Sequence, residues 1–152
     1  MNKPPPASRT LWHASRANIS RPTIAGRTEG DNHENSGLGI FCATEPADYI
    51  AGFGSTVHEI TLHHSVRVMR LKIKELAAMG RVSGEPQRTR QWFETEGRRW
   101  GKDYDVVELV EMDGQVAQAI ILNDDAIAAC TARPVEAFLA GLAQPRRPRP
   151  NR

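Results

Sequence analysis

The segment Leu11-Trp12-His13-Ala14-Ser15 combines residue types that can hold a polar ligand. Residues two apart in an extended chain point to the same side, so the imidazole of His13 and the hydroxyl of Ser15 can act together as hydrogen-bond donors or acceptors. The small Ala14 between them lets a planar polar molecule come close. These three residues are therefore candidates for ligand binding. A structural, hydrogen-bonded histidine is the alternative for His13.

A second candidate segment, Gly37-Leu38-Gly39-Ile40-Phe41-Cys42-Ala43-Thr44, is followed by Tyr49. Glycines weaken a strand, and this cost is usually explained by close approach of backbone or ligand, which makes Gly39 a candidate contact. Phe41 and Tyr49 supply two aromatic faces that suit the two sides of a flat heteroaromatic ring. The alternative is that both aromatic residues belong to the core.

The other histidines, His33, His58, His63 and His64, do not indicate a metal site. Adjacent residues of an extended chain point in opposite directions, so His63 and His64 cannot readily chelate one ion together. We therefore expect no metal. The chain also lacks the two commonest glycine-rich nucleotide-binding motifs, the dinucleotide fingerprint after a strand and the P-loop.

Hydrophobic periodicity predicts the elements that must position these residues. It predicts strands at 10–13, 38–42, 57–62 and within 66–73. Helices are predicted at 46–52, within 72–79 and at 86–100, and two closing strands at 106–110 and 116–122. Met112-Asp113-Gly114 between the closing strands contains a favourable hairpin turn signal. This order predicts an α+β domain with a largely antiparallel sheet.

Length and composition are those of one soluble globular domain, with 152 residues, of which 39% are hydrophobic and 25% charged. No run approaches the roughly 18 apolar residues of a membrane helix. Segments 1–9 and 143–152 are rich in proline and charge, so we expect flexible tails around a domain at 10–142. The arginines of the C-terminal tail are either a solvated surface or a weak tether for phosphate-bearing or acidic targets.

Cysteine usage indicates the compartment. Cys42 and Cys130 lie far apart and form no C-x-x-C pair, and the proline-rich N-terminus is not typical of a secretory signal. We expect two reduced thiols in a cytoplasmic protein, with a structural disulfide as the less favoured alternative.

Taken together, the first two segments resemble the ADP-ribosyltransferase superfamily, in the His-Tyr-Glu branch that includes poly-ADP-ribose polymerases, diphtheria-toxin-like enzymes and small phage and bacterial transferases. There, a strand ending in His-Gly-Ser or His-Gly-Thr precedes Gly-x-Gly-Ile-Tyr and a helix with a second tyrosine. Tyr104-Asp105-Val106-Val107-Glu108, a short hairpin and Gln118-Ala119-Ile120-Ile121-Leu122-Asn123 are similar to the terminal pattern. The resemblance spans about 10–128 and implies a single transferase-like domain with a split sheet and short flanking helices.

The resemblance also implies roles. NAD+ would be the co-substrate, with His13 and Ser15 at its adenosine and nicotinamide portions, and Phe41 and Tyr49 stacked on nicotinamide. Ala14 replaces the family's usual glycine and Phe41 its usual tyrosine. The larger departure is Gln118, which occupies the position of the catalytic glutamate. Glutamine can hydrogen-bond a ribose but cannot supply negative charge to a developing cation.

Three nearby carboxylates, Glu108, Glu111 and Asp113, are candidates to supply that charge, and Glu111 at the hairpin tip is the one we favour. Surface charge on an exposed hairpin is the alternative for each. The sequence thus predicts a mono-ADP-ribosyltransferase that modifies a macromolecule and acts as a toxin or phage effector. The expected acceptor is a protein, and the alternative acceptor is a nucleic acid. A catalytically silent NAD+-binding or interaction module, NAD+ hydrolysis and RNA 2′-phosphate removal are the alternatives.

Overall fold

The computed structural model describes residues 10–15, 21–24, 37–45, 56–79 and 86–143. These residues form seven strands and three α-helices. In chain order the strands and helices are β1 Thr10–Ser15, β2 Ile40–Ala43, β3 Thr56–Leu62, β4 Val68–Lys72, α1 Ile73–Met79, α2 Pro86–Trp100, β5 Val106–Val110, β6 Val116–Ile121, β7 Ile127–Pro134 and α3 Val135–Ala143. The protein is therefore an α+β protein, as predicted.

The strands form one seven-stranded sheet in the order β4-β5-β6-β2-β1-β3-β7. All neighbours are antiparallel except β4 and β5, which pair in parallel from Val68 with Val106 to Lys72 with Val110. Parallel neighbours need a crossover connection, and α1 and α2 lie in that connection. The sheet is thus mostly antiparallel, with a single parallel pair among the described strands.

The connection from β3 to β4 requires the sheet to curve. Five strand-to-strand steps separate these strands in the sheet order, which is about 24 Å in a flat sheet. The link from Leu62 to Val68 covers six residue steps and reaches at most about 21 Å, and it includes a turn at His64 and Ser65. Val66 in this link packs against the core cluster of Leu11, Ile60 and Ile121. The sheet therefore curls around that cluster, and we call this its concave face.

The predicted split of the sheet corresponds to a weak junction rather than a break. β1 pairs with β2 at one position, Trp12 with Ala43, whereas β1 pairs with β3 along its whole length. Hydrogen bonding still makes one continuous sheet. In place of the split sheet that the resemblance implies, the described strands form one curved sheet whose strands diverge between β1 and β2.

The helices cover the convex face in two places. α1 and α2 cover the cluster of Leu109, Ile120 and Phe93 over β5 and β6. α3 covers a smaller cluster of Val57 and Phe138 over β1 and β3. Alternation along each strand explains this division, since successive side chains point to opposite faces. Pro86 suits the first turn of α2, where its missing N–H costs no helical hydrogen bond.

Most predicted elements are confirmed within two residues. The closing hairpin turns at Gly114, whose φ of 86° is a conformation that glycine adopts readily. β7 and α3 are additions that the sequence analysis did not predict. Ala143, which the sequence assigned to the C-terminal tail, is the last residue of α3. The predicted helix at 46–52, the tail at 1–9 and residues 144–152 lie outside the described residues.

No helix among the described residues is long and apolar enough to cross a membrane. Both cysteines are free, with Cys42 buried and Cys130 half-buried. Burial raises the pKa of both thiols above the usual value, with a further rise for Cys42 from Cys130. Both therefore stay protonated near neutral pH.

Candidate functional site

His13 connects the first two predicted segments. Its ring Nδ1 lies 2.6 Å from the carbonyl oxygen of Phe41, across 28 residues of chain. A carbonyl oxygen only accepts, so Nδ1 carries the proton and donates. In the neutral imidazole, Nε2 is then the acceptor nitrogen. The contact thus brings His13 and the glycine-aromatic segment together and defines the tautomer of the ring.

This hydrogen bond lies where β1 and β2 diverge. The backbones pair at Trp12 and Ala43, and beyond that point a side chain of β1 reaches the backbone of β2. Regular strand pairing would satisfy the Phe41 carbonyl with a backbone N–H. The imidazole takes that place. Diverging strands bring backbone polar groups within reach of a ligand between them, which regular pairing would prevent.

Ser15 and Ala14 lie on opposite faces of β1. Ser15 is 9% exposed and shares the concave face with His13 by strand alternation. Ala14 packs on the convex face against the cluster of Val57 and Phe138 under α3. The structure therefore groups Ser15 with His13, while the side chain of Ala14 belongs to the core.

The two glycines before β2 allow the chain to pack closely against itself. A Cβ on Gly39 would lie 2.4 Å from the carbonyl oxygen of Ile121 in β6. A Cβ on Gly37 would lie 2.8 Å from the carbonyl oxygen of Arg90 in α2. Real Cβ atoms do not approach backbone that closely. Backbone approach within the protein thus accounts for both glycines, and a ligand contact by Gly39 stays a prediction.

Phe41 is half-buried at the side of the convex cluster that α2 covers. Its backbone pairs with Ile120 of β6, so its side chain shares a face with that core residue. The core alternative therefore accounts for much of the Phe41 side chain. Tyr49, the second aromatic of the predicted pair, lies outside the described residues.

Gln118 lies two strands from β1. Trp12 pairs with Ala43, and Ala43 pairs with Gln118. Directly paired side chains share a face, so these three occupy the convex face, with the small Ala43 between two larger side chains. Two strand spacings place Gln118 about 10 Å from Trp12. The side chain of His13 lies on the opposite, concave face. A ligand that contacts both His13 and Gln118 must therefore extend across the junction where β1 and β2 diverge.

Thr44 follows Ala43 at the end of β2 and holds this strand against β6. Its hydroxyl lies 3.3 Å from the carbonyl oxygens of Val116 and Ala117 in β6. One hydroxyl proton can be shared between two such acceptors. The strand that carries Ala43 is thereby held against the strand that carries Gln118.

The three carboxylates differ in their surroundings. Glu108 is buried on the concave face, where its Oε1 lies 3.2 Å from Nε of Arg70. Asp113 accepts the backbone N–H of Gln115 inside the hairpin turn. Glu111 is exposed at the end of β5, and its backbone N–H donates to Gln115. Three residue steps, about 10 Å, separate Gln115 from Gln118. Glu111, which contacts Gln115, therefore lies well away from Gln118.

His58 is a residue that sequence reasoning about the site missed. It pairs directly with His13, its ring centroid lies 6.2 Å from that of His13, and it is fully buried. Its Nδ1 lies 3.9 Å from Sγ of Cys130, and its Nε2 has no hydrogen-bond partner. Burial and the positive charge of His13 lower the pKa of His58 from 6.5 to about 4. The alternation in β3, which groups His58 with Ile60 and Leu62, was the available signal.

A cavity of about 340 Å³ opens at the other end of β2 and β6. Leu38, Leu122 and Asn123 line it together with Arg98 and Lys102 near the end of α2. None of the predicted site residues that the structure describes lines this cavity. Among the described residues, no cluster of three or more His, Cys, Asp or Glu side chains could hold a metal ion.

We found no match of this chain to a protein-family model, to a curated protein or to a solved structure. We therefore infer a function from the residues themselves and from the geometry in which the fold places them.

Proposed function

We propose that this protein is an ADP-ribosyltransferase that cleaves NAD+ at the nicotinamide–ribose bond and transfers ADP-ribose to a macromolecular acceptor. The acceptor is a protein in the leading form of the proposal, with nucleic acid as the second choice. The setting we propose is the cytoplasm, where the protein acts as a toxin or a phage effector. The resemblance of its motifs to the His-Tyr-Glu transferases supports the family assignment.

The observation that carries the proposal is the contact between His13 and the carbonyl oxygen of Phe41. Two short motifs, each weak alone and 28 residues apart, meet at the place where two strands diverge. Ser15 shares the face of His13, and Gln118 lies in register with Ala43 on the opposite face of the sheet. A planar carboxamide and a ribose are ligands that such a junction of backbone groups, an imidazole and an aromatic ring suits.

In the proposed reaction the bond between the ribose C1′ and the nicotinamide nitrogen breaks, and nicotinamide leaves as a neutral molecule. A nucleophilic atom of the acceptor then bonds to C1′ and gives up its proton. The role of the protein is to position the two reactants and to stabilise the positive charge that develops on the ribose. His13 and Ser15 would orient NAD+, while Phe41 and Tyr49 would hold nicotinamide.

Gln118 is the residue of β6 that we place at the ribose. Its amide can accept a hydrogen bond from a ribose hydroxyl through the carbonyl oxygen. Glutamine provides no negative charge to accelerate the cleavage, so the reaction is slower unless a rearranged hairpin brings the carboxylate of Glu111 to the ribose. Glu111 lies about 10 Å further along the hairpin. We therefore favour a slow transferase over a fast one with a carboxylate beside the ribose.

A catalytically silent NAD+-binding module is the second candidate, and a specific observation favours it. Glu108 is engaged by Arg70 and Asp113 by the turn, so two of the three carboxylates have structural roles. Gln118 alone would bind the ribose without promoting cleavage. NAD+ hydrolysis, in which water takes the place of the acceptor, is a further alternative on the same site.

Labelled NAD+ separates these candidates. The protein is incubated with adenylate-labelled NAD+ and a cell lysate, and label is then measured on macromolecules and in free ADP-ribose. Labelled macromolecules that depend on His13 support the transferase. Free ADP-ribose alone supports hydrolysis. Saturable NAD+ binding with neither product supports the silent module, and no NAD+ binding overturns the proposal.

A further inference from the structure

His58 is the most unusual buried side chain of the described structure. It lies in β3 between Val57 and Ile60, both of which are almost fully buried. Its Nε2 is buried and lacks a hydrogen-bond partner, and it is the only side-chain atom of this kind among the described residues. An unsatisfied buried polar atom destabilises the folded protein. Such an atom calls for an explanation such as an ordered water or a functional role.

The position of the ring suggests what that role is. His13 directs Nδ1 to Phe41 in β2, and His58 directs Nδ1 to Cys130 in β7. β1 and β3 lie between those two strands. The opposite edges of the two rings, which carry Nε2, therefore face each other across the β1–β3 pair. The centroids are 6.2 Å apart, and the facing edges are closer than that.

The partners of the two Nδ1 atoms, Phe41 and Cys130, also determine whether each facing ring edge donates or accepts a hydrogen bond. The Cys130 thiol, which burial keeps protonated, can donate to Nδ1 of His58, and in that tautomer Nε2 of His58 carries the ring proton. The edge of His58 that faces His13 is then a hydrogen-bond donor. One oxygen about 2.9 Å from each Nε2 would bridge the two edges. A hydroxyl oxygen accepts from His58 and retains a proton to donate.

We propose that His58 is a positioning residue for His13, and that its Nε2–H holds one hydroxyl oxygen, of a water or of the bound ligand, against the His13 ring. The oxygen stabilises the orientation in which His13 donates to Phe41. The role of His58 in orienting the ring concerns the protein itself. Only the supply of the hydroxyl by a ligand rests on the proposed binding of NAD+.

Two substitutions separate a hydrogen-bond role from simple filling of space. His58→Phe keeps an aromatic ring of similar volume and removes the donor. His58→Gln keeps an N–H donor at a similar distance from the backbone. Thermal unfolding of both variants verifies that they fold. If His58→Phe does not fold, His58→Leu replaces it as the variant without a donor.

The first measurement uses the ligand-free protein. Imidazole nitrogen resonances show which nitrogen of His13 is protonated, and water-to-ring cross-peaks show a bound water. We expect the wild type and His58→Gln to have Nδ1-protonated His13 with a water cross-peak. In His58→Phe the cross-peak disappears and the His13 nitrogen resonances move. Unchanged His13 resonances in a folded His58→Phe protein would overturn the proposal.

The second measurement adds NAD+. Loss of one hydrogen bond predicts a dissociation constant about 3- to 10-fold higher in His58→Phe, and a value within about 3-fold of the wild type in His58→Gln. A water cross-peak that vanishes at saturating NAD+ identifies the ligand as the source of the hydroxyl, and one that persists identifies water. Equal affinity in all three proteins overturns the ligand role. If the wild type does not bind NAD+, the proposed function fails, and the ligand-free measurement still decides the role of His58.

Discussion

Nδ1 of His13 donates to the backbone carbonyl oxygen of Phe41 at 2.6 Å, and this contact joins β1 to β2 where their backbones diverge. Both residues belong to motifs that the sequence analysis selected for their chemistry. The hydrogen bond orients the imidazole and connects the two strands beyond the point where their backbones pair.

The first prediction concerns His13. His13→Ala removes both the proposed ligand contact and the bond to Phe41, so we expect the dissociation constant for NAD+ to rise at least tenfold in calorimetric titration. The lost hydrogen bond should also lower the free energy of unfolding by about 0.5–1.5 kcal/mol. His64→Ala, at an exposed turn, is the matched control and should bind normally. Normal NAD+ affinity of a folded His13→Ala protein would refute the site.

The second prediction concerns the residue beside the ribose. Gln118→Glu supplies the negative charge that glutamine lacks, and we expect transfer or hydrolysis of NAD+ to become up to about 100-fold faster. Glu111→Gln should change the rate less than twofold, since Glu111 lies about 10 Å further along the hairpin. A large loss in Glu111→Gln, with no gain in Gln118→Glu, would assign the catalytic charge to the hairpin instead.

The third prediction is a dependence of stability on pH. Burial lowers the pKa of His58 from 6.5 to about 4, so between these values the unfolded chain binds a proton that the folded protein does not. The contribution of His58 to the free energy of unfolding should therefore be fully present above about pH 6.5 and decrease as the pH falls toward 4. The decrease amounts to at most about 3 kcal/mol. Urea unfolding at several pH values measures it.

His58→Phe is the variant that isolates this contribution. It removes the titrating group, so the curve of unfolding free energy between pH 6.5 and 4 should flatten. Asp105 titrates in a different window. Partial burial raises its pKa, but hydrogen bonds from Arg67 and Asn123 outweigh this and lower it below 3.8. Its contribution is lost only as the pH falls below about 4, and a slope that persists in His58→Phe above pH 4 would contradict the assignment to His58.

The fourth prediction distinguishes two glycines. Gly39→Ala places a methyl group 2.4 Å from the carbonyl oxygen of Ile121, so we expect the free energy of unfolding to fall by about 1–3 kcal/mol. Gly141 lies in α3 with open space around its Cβ position, and Gly141→Ala should raise stability by about 0.5–1 kcal/mol. Equal effects of the two substitutions would contradict the packing that we describe for Gly39.

Local signals predicted the elements that have strong local causes. The hairpin between β5 and β6 follows from Asp113-Gly114 between two apolar runs, and α2 follows from Pro86 and a buried stripe that includes Phe93. β7 was missed because Ala-Ala-Cys-Thr-Ala-Arg carries little hydrophobic alternation. It is a strand because β3 provides a partner along its whole length, which is a tertiary cause.

The site was predictable in its residues more than in its arrangement. Residue types and order pointed to His13, Ser15 and Phe41, but only the strand pairing shows that His13 contacts the Phe41 backbone while Gln118 lies on the opposite face. Alternation in β3 already placed His58 on the apolar face. Its contact with His13 depends on the register of β1 with β3, which local patterns do not specify.

A crystal structure of the protein with NAD+ bound is the most direct test of the central claim. We expect NAD+ to lie across the β1–β2 junction, with a hydroxyl group within hydrogen-bonding distance of His13 and a ribose hydroxyl beside Gln118. NAD+ bound in the cavity that Leu122 and Asn123 line, or bound anywhere without contact to His13, would contradict it.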